Sequence, residues 1–200
     1  MARRLEGDLK GDVSAAELRL HLKSLRELMQ SEMRKQIFIC IDEKQASYFR
    51  QERLFGEGVH DAFEAARPDI FEAGNCLSCE NYTASVFHLM RVAEHGLRKL
   101  AKRLRVKLTD KGRRQPVESA TWDKVITGIR NRITNAKNLS AGPRRQSKLE
   151  LWSDAADHCL YMKDIWRNNV SHAQKPYKPD QAQASFERVR DFMVFLTVSL

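Results

Sequence analysis

The chain has 200 residues, 42% of them hydrophobic, with a mean hydropathy of −0.55. That is enough for one domain with a buried core and a small appendage, and no stretch approaches the roughly 20 apolar residues of a membrane span. A net charge of +9 and a pI near 9.6 point to a polyanionic partner, nucleic acid being the commonest, or merely to a soluble surface. Composition leaves both open.

The opening "MARRLEGDLKGD" is charged and has no apolar h-region. No signal peptide is read there, and the expectation is a cytoplasmic protein without membrane attachment. The four cysteines, Cys40, Cys76, Cys79 and Cys159, are then expected as reduced thiols. "CLSC" at 76–79 has the spacing of a metal knuckle or redox motif, but no second pair accompanies it. Its helical surroundings suit small core side chains. No metal or cofactor is expected.

In chain order the pattern is helical almost throughout. From Val13, Leu18, Leu22, Leu25, Leu28 and Met29 form one stripe, and Ser14 with Glu17 spells a capping box. "IFICIDE" (37–43) is the one segment read as extended, or else as a buried loop. A helix is expected through "KQASYFRQERLFG", closed by Gly56 and Gly58. Pro68 suits the first turn of the next helix. The longest clean helix follows Asn81, with Val86, Leu89, Met90, Ala93, Leu97, Leu100 and Leu104 recurring at threes and fours. "KLTDKGRRQPVESA" reads as a polar, basic loop. Helices then follow over "WDKVITGIRNRITNAKNL", over "RRQSKLELWSDAADHCLYMKDIWRN" and over the closing "QAQASFERVRDFMVFLTVSL", separated at Gly142–Pro143 and at "KPYKPD".

The predicted fold is therefore all-α: an N-terminal helical arm over 1–66, and an up-and-down helical bundle over 67–200.

The penultimate helix runs into "DIWRNNVSHA" (164–173), where Arg167, Asn168 and His172 stand together. "WRNNVSHA" resembles the Arg-Asn-x-x-x-His signature of HEPN domains. "DIFEAGNCLSCENYTASVFHLMRVAEHGLRKLAKRL", "TWDKVI", "VRDFMVFL" and the upstream "QASYFRQERLFGEGVHDAF" are similar to a group of bacterial HEPN-like proteins, so the resemblance covers roughly 45–200. It implies a bundle of four to five helices with the motif near the end of a long helix. It also implies a homodimer that brings two motifs together for metal-independent endoribonuclease activity, with Arg167 and His172 catalytic and Asn168 beside them. Toxin–antitoxin, abortive-infection and phage-defence settings, with a cognate antitoxin as partner, are what such a resemblance suggests. Other HEPN proteins serve as non-catalytic binding modules. The long N-terminal arm is where this chain departs from minimal HEPN toxins.

The residue types fit that chemistry on their own terms. Metal-free RNA cleavage needs a proton acceptor at the 2′-OH and a donor at the 5′-oxygen, and histidine serves either near neutral pH. A planar, permanently charged arginine stabilises the charge gathering on the phosphorane. On an ideal helix five residues turn about 500°, leaving Arg167 and His172 about 140° apart, so they converge only if the helix ends or bends near Asn169. The plain structural alternative pairs Arg167 with Asp157 or Asp164 and makes His172 a C-terminal cap.

A second constellation, "HLMRVAEHG", holds His88, Arg91, Glu94 and His95. Glu94 and Arg91 are candidate supports of the site, as is Asn169, with Glu94 read as a partner for Arg167 or as a residue of the same cleft. The alternative is an Arg91–Glu94 pair on one helix, with surface histidines. The densest charge run, 98–115, has nine Lys or Arg and one Asp. Lys102, Arg103, Arg105, Arg113 and Arg114 there are candidates for phosphate-backbone contacts, or form a solvated face. No aromatic residue interleaves them, so base stacking is not indicated.

The leading reading is an RNA-cleaving homodimer. A non-catalytic module binding nucleotide, nucleic acid or a protein partner is the alternative. A structural bundle whose arm docks a partner is the third.

Overall fold

The computed structural model describes residues 14–137, 143–169 and 176–199. These form an all-α fold with one short hairpin, and no helix among them is long and apolar enough to cross a membrane. The chain divides into two compact units, Met1–Cys40 and Ile41–Leu200.

In the first unit, helix α1 spans Ala15–Met33. Its start is the capping box read from the sequence: Glu17 N–H donates to Ser14 Oγ at 3.3 Å, and Ser14 N–H donates to Glu17 Oε2 at 3.0 Å. That satisfies two of the backbone donors a helix start leaves open. No residue of α1 is buried. The "IFICIDE" segment forms no strand over 37–42, nor is it a buried loop: Ile37 is 95% exposed, and Phe38 and Ile39 are exposed too.

The second unit begins well before the expected boundary at 66. Phe55, Val59, Phe63 and Ala66 are all core residues, and the edge of Phe186 meets both Tyr48 and Phe55 at centroid distances of 5.1 and 5.2 Å. The arm proper therefore ends near Cys40, because apolar contacts tie the following segment to the bundle. The helix expected through "KQASYFRQERLFG" is cut to α2, Glu43–Ala46. Arg50 adopts φ 53°, a left-handed conformation that ends helical progress. Its N–H is taken by Asn75 Oδ1 at 2.9 Å. Gly56, at φ 87°, then opens α3, Glu57–Ala62.

Helix α4 (Arg67–Ser78) has Pro68 in its first turn, as the sequence indicated. Helix α5 (Tyr82–Arg103) is the hub, burying Val86, Leu89, Val92, Ala93, Leu97 and Leu100. It packs on α4, on α6 (Trp122–Lys137), on α7 (Pro143–Asn169) and on α8 (Pro179–Ser199).

Side-chain contacts set the directions. Ser85 Oγ donates to Ala73 O at 2.8 Å and Arg91 reaches Asp69, so α4 and α5 are antiparallel. The ion pairs Arg130–Asp157 and Lys163–Asp123 run α6 against α7. Tyr177 N–H donates to Thr83 Oγ1 at 3.0 Å, while Phe192, Met193 and Leu196 close on Gly96. Helix α8 thus lies along α5 in the same direction, so the alternation of an up-and-down bundle does not hold between these two. A Cβ at Gly96 would stand within 2.9 Å of all three side chains, which is what lets the helices approach.

Cys159 is a core thiol, and burial drives its pKa far above the usual range. Cys76 and Cys79 are half-buried free thiols on α4 and its cap.

The basic loop after α5 is not a loop. Leu108–Asp110 (β1) and Arg113–Gln115 (β2) pair antiparallel, with Thr109 opposite Arg114. Lys111 and Gly112, both at positive φ, make the two-residue turn whose twist suits a hairpin.

Candidate functional site

Arg167, Asn168 and Asn169 belong to the last described turn of α7, one turn beyond Lys163, whose ammonium pairs with Asp123 at the start of α6. The side chains of these three residues, and His172 entirely, lie outside the described residues. Asp157, one of the two carboxylates offered to Arg167 by the structural alternative, pairs with Arg130.

Three of the five basic candidates, Lys102, Arg105 and Arg114, are brought together. Lys102 and Arg103 occupy the last turn of α5, whose end is a Schellman motif: Val106 N–H donates to Ala101 O at 3.0 Å and Arg105 N–H to Lys102 O at 2.9 Å. The residue forced left-handed by that motif, normally glycine, is Arg105, at φ 52°. Behind it the hairpin is anchored on α6. Val106 and Leu108 pack where a Cβ on Gly128 would stand, within 2.8 Å, and Lys124 Nζ donates to Asp110 Oδ1 at 2.7 Å and Gln115 Oε1 at 3.3 Å. Between the helix end and β2 opens a cleft of about 650 Å³. Lys102, Arg105, Lys107 and Arg114 stand around it, with Val106, Leu108, Pro116 and Val117 among its apolar lining. Lys102 pairs with Glu118 at 2.6 Å, and that hydrogen bond holds the Glu118 carboxyl below its ordinary pKa. Among the described residues no carboxylate lies in ion-pair range of Arg105, Lys107 or Arg114. Arg113 is exposed on the turn side of β2, and Arg103 faces solvent.

The second constellation is also organised, around a residue that the sequence reading missed. Asp69, at the third position of α4, is buried, its side chain 8% exposed. Its Oδ1 accepts from His88 Nδ1 at 2.9 Å and from Arg91 Nε at 2.7 Å, and its Oδ2 lies 3.9 Å from His95 Nε2. A carboxylate only accepts, so Nδ1 is the protonated nitrogen of His88 and its Nε2 is left to other partners. Burial alone would raise the Asp69 pKa, but the hydrogen bonds from His88 and Arg91, with their charges, outweigh it and hold it below the usual value. Burial pushes the His95 imidazole below its ordinary pKa, against the pull of Asp69.

Glu94 pairs with Arg98 on its own helix rather than with Arg91. The two histidines read as surface residues are half-buried parts of a link between helices. A signal for this was present: His88, Arg91 and His95 recur at three and four on one face, and an acid in the first turn of the preceding helix could meet them. Among the described residues, no group of three His, Cys, Asp or Glu is arranged to hold a metal ion.

No protein-family model, curated protein or solved structure matches the chain.

Proposed function

We propose that this protein binds RNA and cleaves it without a metal, as a homodimer of HEPN type acting in the cytoplasm. The observation that carries the binding is the cleft between the end of α5 and the hairpin. Lys102, Arg105, Lys107 and Arg114 surround an apolar lining there, and three of them have no carboxylate partner among the described residues. Such a set tracks a phosphate backbone and releases counterions on binding, so affinity falls steeply with salt.

Cleavage is assigned to Arg167 and His172, with Asn168 in support, on the strength of "WRNNVSHA". One His172 takes the 2′-OH proton as that oxygen attacks phosphorus. The P–O5′ bond breaks, and the 5′-oxygen takes a proton from the second protomer's motif. The products are a 2′,3′-cyclic phosphate and a 5′-hydroxyl. Arg167 stabilises the equatorial oxygens. A defence or toxin role, restrained by a protein partner, accords with such an activity.

The same cleft also supports a second reading, a binding module without cleavage, since Lys102, Arg105, Lys107 and Arg114 around an apolar lining are binding groups in themselves. One experiment separates the two. Total RNA and transfer RNA are incubated in EDTA with wild type, His172→Ala and Arg114→Glu. The nuclease reading expects cyclic-phosphate ends from wild type alone or with Arg114→Glu weakened, and none from His172→Ala. Binding retained by both wild type and His172→Ala, with no cleavage by either, selects the binding module. RNA affinity untouched by Arg114→Glu removes the cleft from both.

A further inference from the structure

The basic cleft at the hairpin holds more than phosphate-binding groups. Leu108 and Val117 are buried in its lining, and Val106 and Pro116 extend that apolar wall. A phosphodiester backbone presents charged oxygens and hydroxyl-bearing sugars. It can satisfy Arg105, Lys107 and Arg114, but it covers such a wall poorly. A nucleobase face covers it well, because it is flat and apolar. The cleft volume of about 650 Å³ is in the usual range for a pocket that encloses a small ligand. No aromatic ring is among the described lining residues, so a base would lie here against aliphatic side chains.

Among the described residues one carboxylate, Glu118, lines the cleft with these cations, and its side chain is 52% exposed. Lys102, at the end of α5, holds its Oε1 at 2.6 Å, and that hydrogen bond keeps the carboxyl ionised. A carboxylate repels phosphate, so it lowers RNA affinity unless the ligand brings it a donor. It has about four acceptor sites, of which Lys102 takes one. The other described side-chain acceptor of the lining, Gln115, is engaged: its Oε1 accepts from Lys124 Nζ, and its Nε2 donates to Ser119 O. Glu118 is therefore the group a base edge can address. Guanine offers a carboxylate two neighbouring donors, N1–H and N2–H, for a paired hydrogen bond. Adenine and cytosine offer an amino group with no ring N–H beside it, and uracil one N–H between two carbonyls. In a duplex both guanine donors are spent on cytosine.

We infer that the cleft takes one unpaired guanine, its ring against the apolar wall and its Watson–Crick edge on Glu118, while Arg105, Lys107 and Arg114 hold the adjoining phosphates. This rests on the proposed RNA function and names its substrate class: single-stranded RNA with a guanine free of pairing. Glu118 sets the specificity, and the cations set the affinity.

The probes are short oligouridine strands whose central position is guanosine, inosine, adenosine, cytidine or uridine, with the guanosine and uridine strands also annealed to their complements. Each is titrated by fluorescence anisotropy against His172→Ala protein, so that no strand is cut, and against the same protein with Glu118→Gln added. The guanosine strand is expected to bind about tenfold more tightly than the uridine strand. Inosine, which keeps N1–H but lacks the 2-amino group, loses most of that gain, and the two duplexes bind alike. Glu118→Gln, at an exposed side chain, replaces an acceptor oxygen by a donor and brings the guanosine strand down to the uridine strand. The uridine strand itself binds no more weakly, since a charge that repels phosphate has gone and Lys102 is released. Equal affinity for all single strands overturns the inference and leaves the cleft as a backbone tracker, as Arg114→Glu measured in parallel would show by weakening every strand. A guanosine preference that survives Glu118→Gln, is matched by inosine or persists in the duplex overturns it as well. Binding of none of the strands removes the RNA reading and the inference with it.

Discussion

Arg91 Nε lies 2.7 Å from Asp69 Oδ1, across 22 residues of chain, and clips the start of α4 to the middle of α5. The carboxylate is nearly enclosed, with His88 as its second donor. A buried charge with two charge-capable donors is costly to disturb, since removing one member leaves the others desolvated and unmatched. Asp69→Asn should lower stability by about 2 kcal/mol, read as a shift of the urea midpoint at unchanged slope. A midpoint within error of wild type would mean that the clip is a surface ornament.

The same cluster sets an acid limit. His95 has a depressed folded-state pKa, so below its ordinary value of 6.5 the unfolded chain binds more protons than the folded one. Asp69, also depressed, adds the same sign below 3.8. Stability should therefore begin to fall as pH drops below about 6.5, and fall again below about 4. In urea titrations across this range, His95→Gln should flatten the first step and leave the second. A stability that rises on going from pH 7 to pH 5.5 would contradict this account of His95.

Gly74 sits in α4 where a Cβ would stand 2.7 Å from the Tyr48 carbonyl oxygen and 2.5 Å from Leu54 Cδ2. In a free helix Gly→Ala stabilises by about 1 kcal/mol. Here the backbone carbonyl cannot step aside cheaply, so Gly74→Ala should destabilise by about 1–3 kcal/mol instead. Thermal unfolding decides the sign.

Arg105 carries a left-handed backbone at the end of α5 and a guanidinium at the mouth of the basic cleft. Arg105→Gly should relieve about 1 kcal/mol of backbone strain and raise the unfolding midpoint. It should also weaken RNA binding and make its salt dependence shallower by roughly one counterion. Higher stability with unchanged RNA affinity would show that the strained arginine serves no polyanion.

Some of the structure could be read directly from local pattern. The α1 capping box, the first-turn proline of α4 and the apolar periodicity of α5 each depend on residues within one or two turns, and each stands where the sequence placed it. The hairpin did not show itself, because three-residue strands are too short for alternation to be read, and its turn, Lys111–Gly112, is only one step from an Asp-Gly signal. Nor did the break at Arg50, since a non-glycine residue at positive φ depends on the distant Asn75 that accepts its N–H.

The candidate sites divide in the same way. The cationic run at 98–115 was plain from composition, and so were the residue types of "WRNNVSHA". Helical spacing alone put His88, Arg91 and His95 on a common face. Tertiary structure alone brought Asp69 beneath them, paired Glu94 with Arg98, and folded the charge run around an apolar cleft. The physical reason is range: capping and periodicity act over a few residues of one chain segment. A buried carboxylate finds its cations only after two helices have packed, through apolar contacts that say nothing of where the charges will meet.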